Sequence, residues 1–256
     1  MCFNISSNLT SQMKYAKRHG LDTSELDKLL AQQGELPLYH QISGFAHPAL
    51  PVITSEQPEK ISLSNWGLIP SWVKEPVQAM EMAKSTLNAR GETIFEKPSF
   101  RNSAGKKHCV VLVNGFFEHH HAGKIKIPFH VKPKEGETLL LGGIFEEWEF
   151  ENETRHTFSI VTTEGNPLMA KIHNNPKLKG PRMPVIIPEE LKKEWLTQAM
   201  DLNSLQQFLE TYPADELSAF PVPPILGKNG TGNSEAALQQ ADYPELIFEE
   251  WVREAK

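Results

Sequence analysis

Cys109-Val-Val-Leu-Val113, continuing directly into Asn114-Gly-Phe-Phe-Glu118, is the stretch on which the fold turns. A short apolar run rich in β-branched residues and closed by Asn-Gly reads as a strand with a turn behind it. Further strands are expected near Lys126–Val131, Thr138–Phe145, Thr157–Thr163 and Met183–Ile187, with Leu217–Val222 extended. Upstream, Ile61 and Leu63 alternate with polar residues and lead into Trp66-Gly-Leu-Ile-Pro-Ser-Trp72, and Phe3–Ile5 opens the chain as a short strand. Helices lie mostly outside this block. Asn8–Gly20 has Asn8 or Thr10 as cap, and Ser24–Gln33 carries Leu26, Leu29 and Leu30 on one face with Gly34 as its stop. Pro76–Lys84, Pro188–Met200, Leu202–Glu210 and Pro244–Glu254 follow the same logic. Leu36–Pro58 is rich in Pro and Gly and reads as extended or looping backbone, and Asn174–Pro181 as a loop. The class is α+β, a mostly antiparallel sheet or barrel core with flanking helices. Residues 1–256 read as one domain, with a loop at 226–236 before a C-terminal helical tail.

Composition narrows the function classes. Hydrophobic content of 39% and charged content of 23% suit an ordinary globular chain. No apolar run approaches a membrane span and no signal peptide opens the sequence, so no membrane association is expected. Cys2 and Cys109 are too few for a disulfide framework, which points to a reducing, cytosolic compartment. A formal net charge of −6 argues against a general nucleic-acid binder but leaves room for a local basic groove.

Several polar stretches exceed what a core requires: Asn88-Ala-Arg90-Gly-Glu92, Asn114–Glu118, Ile172-His173 and Gly180-Pro-Arg182-Met-Pro184. Each has a plain structural reading as cap, surface ion pair or hydrogen-bonded histidine. Cys2 has two readings as well. It is a small buried hydrophobe, or, once Met1 is removed, an N-terminal 1,2-aminothiol whose amine condenses with aldehydes and whose thiol closes a thiazolidine ring. Consecutive His119-His120-His121 alternate faces on extended backbone and cannot converge on one ion, so neither a metal nor another cofactor is expected.

Taken in order, Met1-Cys2, Trp66-Gly-Leu-Ile-Pro-Ser-Trp72, Asn88-Ala-Arg-Gly-Glu-Thr93, Gly115-Phe-Phe-Glu118, Gly142-Gly-Ile-Phe-Glu146, Thr162-Thr163, Ile172-His173 and Arg182-Met-Pro184 form a series that resembles the SRAP family, the SOS-response-associated peptidases or abasic-site processing proteins. The resemblance runs from residue 2 to at least residue 187. It implies covalent capture of abasic sites in single-stranded DNA by a monomeric protein, cytoplasmic and nucleoid-associated when DNA-bound. Carried onto this chain, an exposed Cys2 is the crosslinking nucleophile. Asn88 positions the sugar or the Cys2 backbone, Glu118 is the general acid/base, and His173 assists opening of the sugar ring. Arg90 and Arg182 hold phosphates, and Trp66 stacks or wedges against bases, although core packing is expected of at least one of Trp66 and Trp72. The resemblance also implies thiol autopeptidase activity that exposes Cys2.

Three features depart from the family pattern, the first being His119 where an aromatic usually follows the glutamate. Phe3-Asn4 stands where Gly-Arg is usual, and Asn174–Pro181 separates His173 from Arg182. If that insertion bulges outward, both residues still reach one site, and its Lys177 and Lys179 supply replacement phosphate contacts. Two other classes compete: an N-terminal-nucleophile amide hydrolase, which needs a closed pocket and an oxyanion hole, and a noncovalent single-strand binding module in which Cys2 is structural.

Overall fold

A computed structural model of the chain describes residues 2–197 and 199–246. The chain begins with β1 (Asn4–Asn8), α1 (Leu9–Arg18) and α2 (Ser24–Gln33). Asn8 ends the strand and caps the helix, its side chain accepting from the Thr10 and Ser11 N–H groups. Gly34 closes α2 in the left-handed region at φ 79°. The segment read as extended or looping is extended: it forms β2 (Leu38–Ser43) and β3 (Ala49–Thr54), joined by a 3₁₀ turn at Gly44–Ala46. Next come β4 (Gln57–Trp66), α3 (Pro76–Ser85), β5 (Asn88–Arg90), α4 (Arg101–Ala104), β6 (His108–Val113) and β7 (Gly115–Ala122). The chain continues with β8 (Ile125–Pro133), β9 (Leu139–Phe150), β10 (Glu153–Glu164), α5 (Pro167–Ile172), β11 (Arg182–Pro184), α6 (Lys192–Thr197), α7 (Leu202–Leu209) and β12 (Leu217–Pro221). Pro188–Met200 is thus shorter in helix than its pattern suggests, a 3₁₀ turn at Glu189–Leu191 preceding α6. The expected tail helix begins as a 3₁₀ turn at Pro244–Leu246, and its remainder lies outside the described residues.

The strands form two sheets, ordered β12-β8-β7-β1-β2 and β11-β10-β4-β3-β6-β9. In the second, β9 also pairs with β10 from Glu153↔Phe150 to Ile160↔Gly143, so its hydrogen-bonded circuit closes. Pairing is antiparallel except where β10 receives β4 and β5 in parallel, at Phe158↔Trp66 and Val161↔Ala89. The fold is α+β, as the alternation of apolar segments indicates.

Every residue of β6 is buried, because both of its faces are covered. Val110 and Leu112 join a cluster with Leu9, Leu26, Trp195 and Phe208 from the helices. Cys109, Val111 and Val113 join a second cluster with Ile5, Phe116 and Phe129 of the five-stranded sheet. Burying an aliphatic side chain of this size stabilises by roughly 1.5–3 kcal/mol, so this run anchors both layers. The Cys109 thiol is pushed well above its ordinary pKa by that burial and is inert.

Candidate active site

Four elements converge where the chain begins. Cys2 and Phe3 lead into β1, β5 delivers Asn88, β7 delivers Glu118, and the end of α5 delivers His173. β1 and β7 pair at Asn4↔Phe117, which sets Glu118 next to the chain start. α5 is fixed by Asn166, whose Oδ1 accepts the Met169 N–H at 2.9 Å while its amide donates to the Tyr212 carbonyl at 2.8 Å. His173 is the C-cap residue of that short helix.

Asn88 Nδ2 donates to the Cys2 carbonyl at 2.8 Å, so the residue meets the Cys2 backbone, and its buried Oδ1 has no hydrogen-bond partner. Cys2 itself is not exposed. It retains 1% of its surface and packs with the core cluster between the sheets. Burial, with the Glu118 carboxylate adding to it, pushes the Cys2 thiol up to about 12. The sequence expectation of an exposed thiol is therefore corrected: while Met1 precedes it, Cys2 is a protonated core thiol.

Glu118 is 7% exposed, and its Oε1 accepts the His119 N–H at 3.2 Å. Its Oε2 lies 3.9 Å from His173 Nδ1, beyond hydrogen-bond range. The Arg182 N–H donates to that same Nδ1 at 3.0 Å. The same Nδ1 lies 3.2 Å from the Arg182 carbonyl, so the Arg182 backbone holds the ring through both its N–H and its C=O. Burial lowers the His173 pKa, the nearby Glu118 acting the other way.

The Arg182–His173 bond also settles the route of the insertion. Asn174–Pro181 bulges outward and returns to the site, pinned at its root by Asn174, which exchanges hydrogen bonds with the His121 backbone at 2.7 and 3.1 Å. Leu178 at its tip borders two clefts. The first, about 640 Å³, is lined by Phe3, Glu118, His119, His173 and Asn175 among others, and Lys177 lies close enough to act on the His121 ring at its edge. The second, about 510 Å³, is lined by Arg90, Glu92, Thr93, Lys179 and Arg182 among others. Arg90, Lys177 and Lys179 are exposed.

Two expected DNA contacts do not survive. Trp66 is fully buried and its indole N–H donates to the Leu87 carbonyl at 2.7 Å, so it cannot stack on a base. The exposed tryptophan of that motif is Trp72. Arg182 is spent inside the protein. Its guanidinium grips Glu92 at 2.5 and 2.9 Å and donates to the Thr162 carbonyl at 2.8 Å, and its Nε, which has no hydrogen-bond partner, is buried, so it turns inward to these groups instead of outward to a phosphate. Burial alone would raise the Glu92 carboxyl, but Arg182 outweighs it and holds the pKa below the usual value. What sequence reasoning missed is Phe45, 56% exposed on the Gly44–Ala46 turn, with its ring stacked on Phe3 at 5.3 Å. An aromatic within a Ser-Gly-Phe turn was the available signal.

The same fold occurs elsewhere. A crystal structure of a Bacteroides thetaiotaomicron protein superposes with a TM-score of 0.82 at 32% identity, covering 94% of this chain and 100% of that one. The abasic site processing protein YoqW of Bacillus subtilis is 34% identical over 189 residues, 73% of this chain and 80% of its own. YoaM, a Bacillus subtilis protein described in the same words, is 31% identical over 225 residues, 87% of this chain and 92% of its own. With the family model matching residues 1–229, over the elements that bring Cys2, Asn88, Glu118 and His173 together, the chain belongs to the SOS response associated peptidase (SRAP) family.

Proposed function

We propose that this protein captures abasic sites in single-stranded DNA covalently through Cys2 after Met1 is removed. The observation that carries the reading is the setting of Cys2. Its carbonyl is tied to Asn88, and Glu118 and His173 line the adjoining cleft.

The chemistry follows from the groups present. Removal of Met1 converts the Cys2 nitrogen from an amide into an amine. That amine attacks the C1′ aldehyde of the ring-opened deoxyribose, giving a carbinolamine that loses water to a Schiff base. Glu118 accepts a proton from the ammonium and returns it to the departing hydroxyl. The Cys2 sulfur then adds to C1′, its proton passing to the nitrogen, and a thiazolidine remains. One C–N and one C–S bond form, and one water leaves. His173 donates a proton to the sugar ring oxygen as the ring opens. Asn88 Oδ1, the unpartnered acceptor, takes a hydrogen bond from the Cys2 amine or a sugar hydroxyl. Arg90 and Lys179 in the second cleft, with Lys177 beside the first, hold backbone phosphates.

The test is a denaturing gel with a single-stranded oligonucleotide bearing one abasic site, run beside an intact strand and Cys2→Ala, with a mass spectrum of the protein N-terminus. A retarded band that needs both the lesion and Cys2, of mass equal to Met1-free protein plus oligonucleotide less one water, supports the reading. A Met1-free protein that forms no such band overturns it.

A further inference from the structure

We infer that Phe3 and Phe45 form a stacking platform for a nucleobase neighbouring the abasic site, so that base context sets affinity. The inference rests on the lesion-capture reading and adds its sequence-context determinant.

The platform is built, not incidental. Phe3 directly follows Cys2 and lines the cleft that Glu118 and His173 share. Its ring lies 5.3 Å from that of Phe45 at an interplanar angle of 30°, an offset stack. Phe45 remains 56% exposed, so the pair offers a flat aromatic surface to solvent beside the site. The turn beneath it is held at several points. The Gly44 N–H donates to the Phe3 carbonyl at 2.8 Å, and Ser43 pairs with Asn4 across β1 and β2. The backbone of Gly44 presses on the Trp66 indole so closely that an added Cβ would meet three ring atoms at 3.0 Å. His47, at φ 49°, ends the turn with Nδ1 2.8 Å from the Trp66 carbonyl. Trp66 therefore serves from beneath: it orders the turn that carries Phe45.

A nucleobase is the occupant the surroundings select. An exposed aromatic stack on the rim of a cleft that Lys126 also lines matches a single strand's alternation of flat bases and phosphates. At an abasic position the neighbouring base has lost one stacking partner, and an aromatic side chain replaces it. A chain with Gly at position 3, the usual family residue, has no such pair.

The experiment uses Cys2→Ala protein, which removes the thiol, and single strands carrying a tetrahydrofuran abasic analogue, which has no aldehyde. Dissociation constants are measured by fluorescence anisotropy for Phe45 and Phe45→Ala versions, with each neighbouring base present or replaced by a second tetrahydrofuran. Phe45 is surface-exposed, so the variant folds. Removing the neighbouring base on one side should weaken binding about tenfold with Phe45 and less than about twofold with Phe45→Ala, as expected for one stacked base. That difference should persist at high salt. Equal responses of the two proteins on both sides overturn the platform while leaving lesion capture intact. Failure of the underlying reading looks different: lesion and intact strands bind alike and the unmodified protein forms no adduct, and the inference falls with it.

Discussion

Arg182→Met separates a structural arginine from a phosphate-binding one. The guanidinium is 11% exposed and makes two bonds to Glu92 and two to Thr162, at 2.8 Å to its carbonyl and 3.2 Å to its hydroxyl. Methionine keeps the stem packing and removes every bond. A charge-assisted bond to a buried group contributes about 1.5–3 kcal/mol, which applies to the Thr162 side of the arrangement. The Glu92 side chain is 39% exposed, so its share is discounted to about 1 kcal/mol because water replaces the lost partner. The sum is about 2–4 kcal/mol, or a fall of about 1 M in the urea midpoint. Tryptophan emission follows the transition, since Trp66 and Trp195 are buried. The pH dependence has a definite sign. Arg182 depresses the Glu92 pKa in the folded state, so that stabilisation is complete above the unfolded value of about 4.3 and is lost as pH falls through the lower folded value. The gap between parent and variant should therefore narrow as pH falls below about 4.3. A variant that unfolds at the parent's midpoint, yet binds DNA with a shallower salt dependence, would refute the assignment.

Arg90→Ala and Lys179→Ala should do the reverse, leaving the urea midpoint alone and each lowering the slope of log affinity against log salt by about 0.7, measured by anisotropy on single strands. Asn88→Ala loses the bond to the Cys2 carbonyl, and single-turnover adduct formation should slow about tenfold, the kinetic equivalent of one lost hydrogen bond. An unchanged rate would remove Asn88 from the site. His130 is buried against Ser6, and burial lowers its pKa to about 3. The unfolded chain takes up a proton near pH 6.5 that the folded chain refuses, so stability falls as pH drops from about 6.5 toward about 3. His130→Gln should flatten that slope in urea titrations across the range.

How much of this was legible in the chain depends on range. α2 was readable from end to end because its stop is local: a leucine face followed by Gly34 at positive φ. The β2–β3 segment was readable only as extended or looping backbone. Leu38 is 45% exposed, which blurs the alternation of β2, and Pro51 interrupts β3. Pro51 is tolerated because pairing with β6 begins only at Val52, so its missing N–H costs no ladder bond there. Site residues divide the same way. Asn88, Glu118 and His173 were visible as polar residues beside turns, and the structure brings them together at Cys2. Trp66 and Arg182 were misread because their partners are distant. Leu87 and Glu92 lie 21 and 90 positions away, and no local pattern reveals a pairing of that span.

The division of labour within Cys2 can be separated experimentally. In the proposed route the amine makes the first bond and the thiol the second, and each has its own consequence for DNA. A Schiff base at C1′ acidifies the neighbouring C2′ hydrogen, and its loss expels the 3′ phosphate and breaks the strand. Ring closure by sulfur makes C1′ tetrahedral and removes that acidity. The thiol thus protects the strand as well as holding it. Its burial and raised pKa keep it protonated while Met1 is attached, and once the Schiff base has formed, the protonated imine on the adjacent carbon is the charge that favours the thiolate. Met1-free Cys2→Ala keeps the amine but lacks the sulfur. It should give no stable band in plain buffer, a borohydride-trapped band in reductant, and more strand breakage than the parent. Cys2→Ala that neither traps nor breaks the strand would show that sulfur, not nitrogen, makes the first bond.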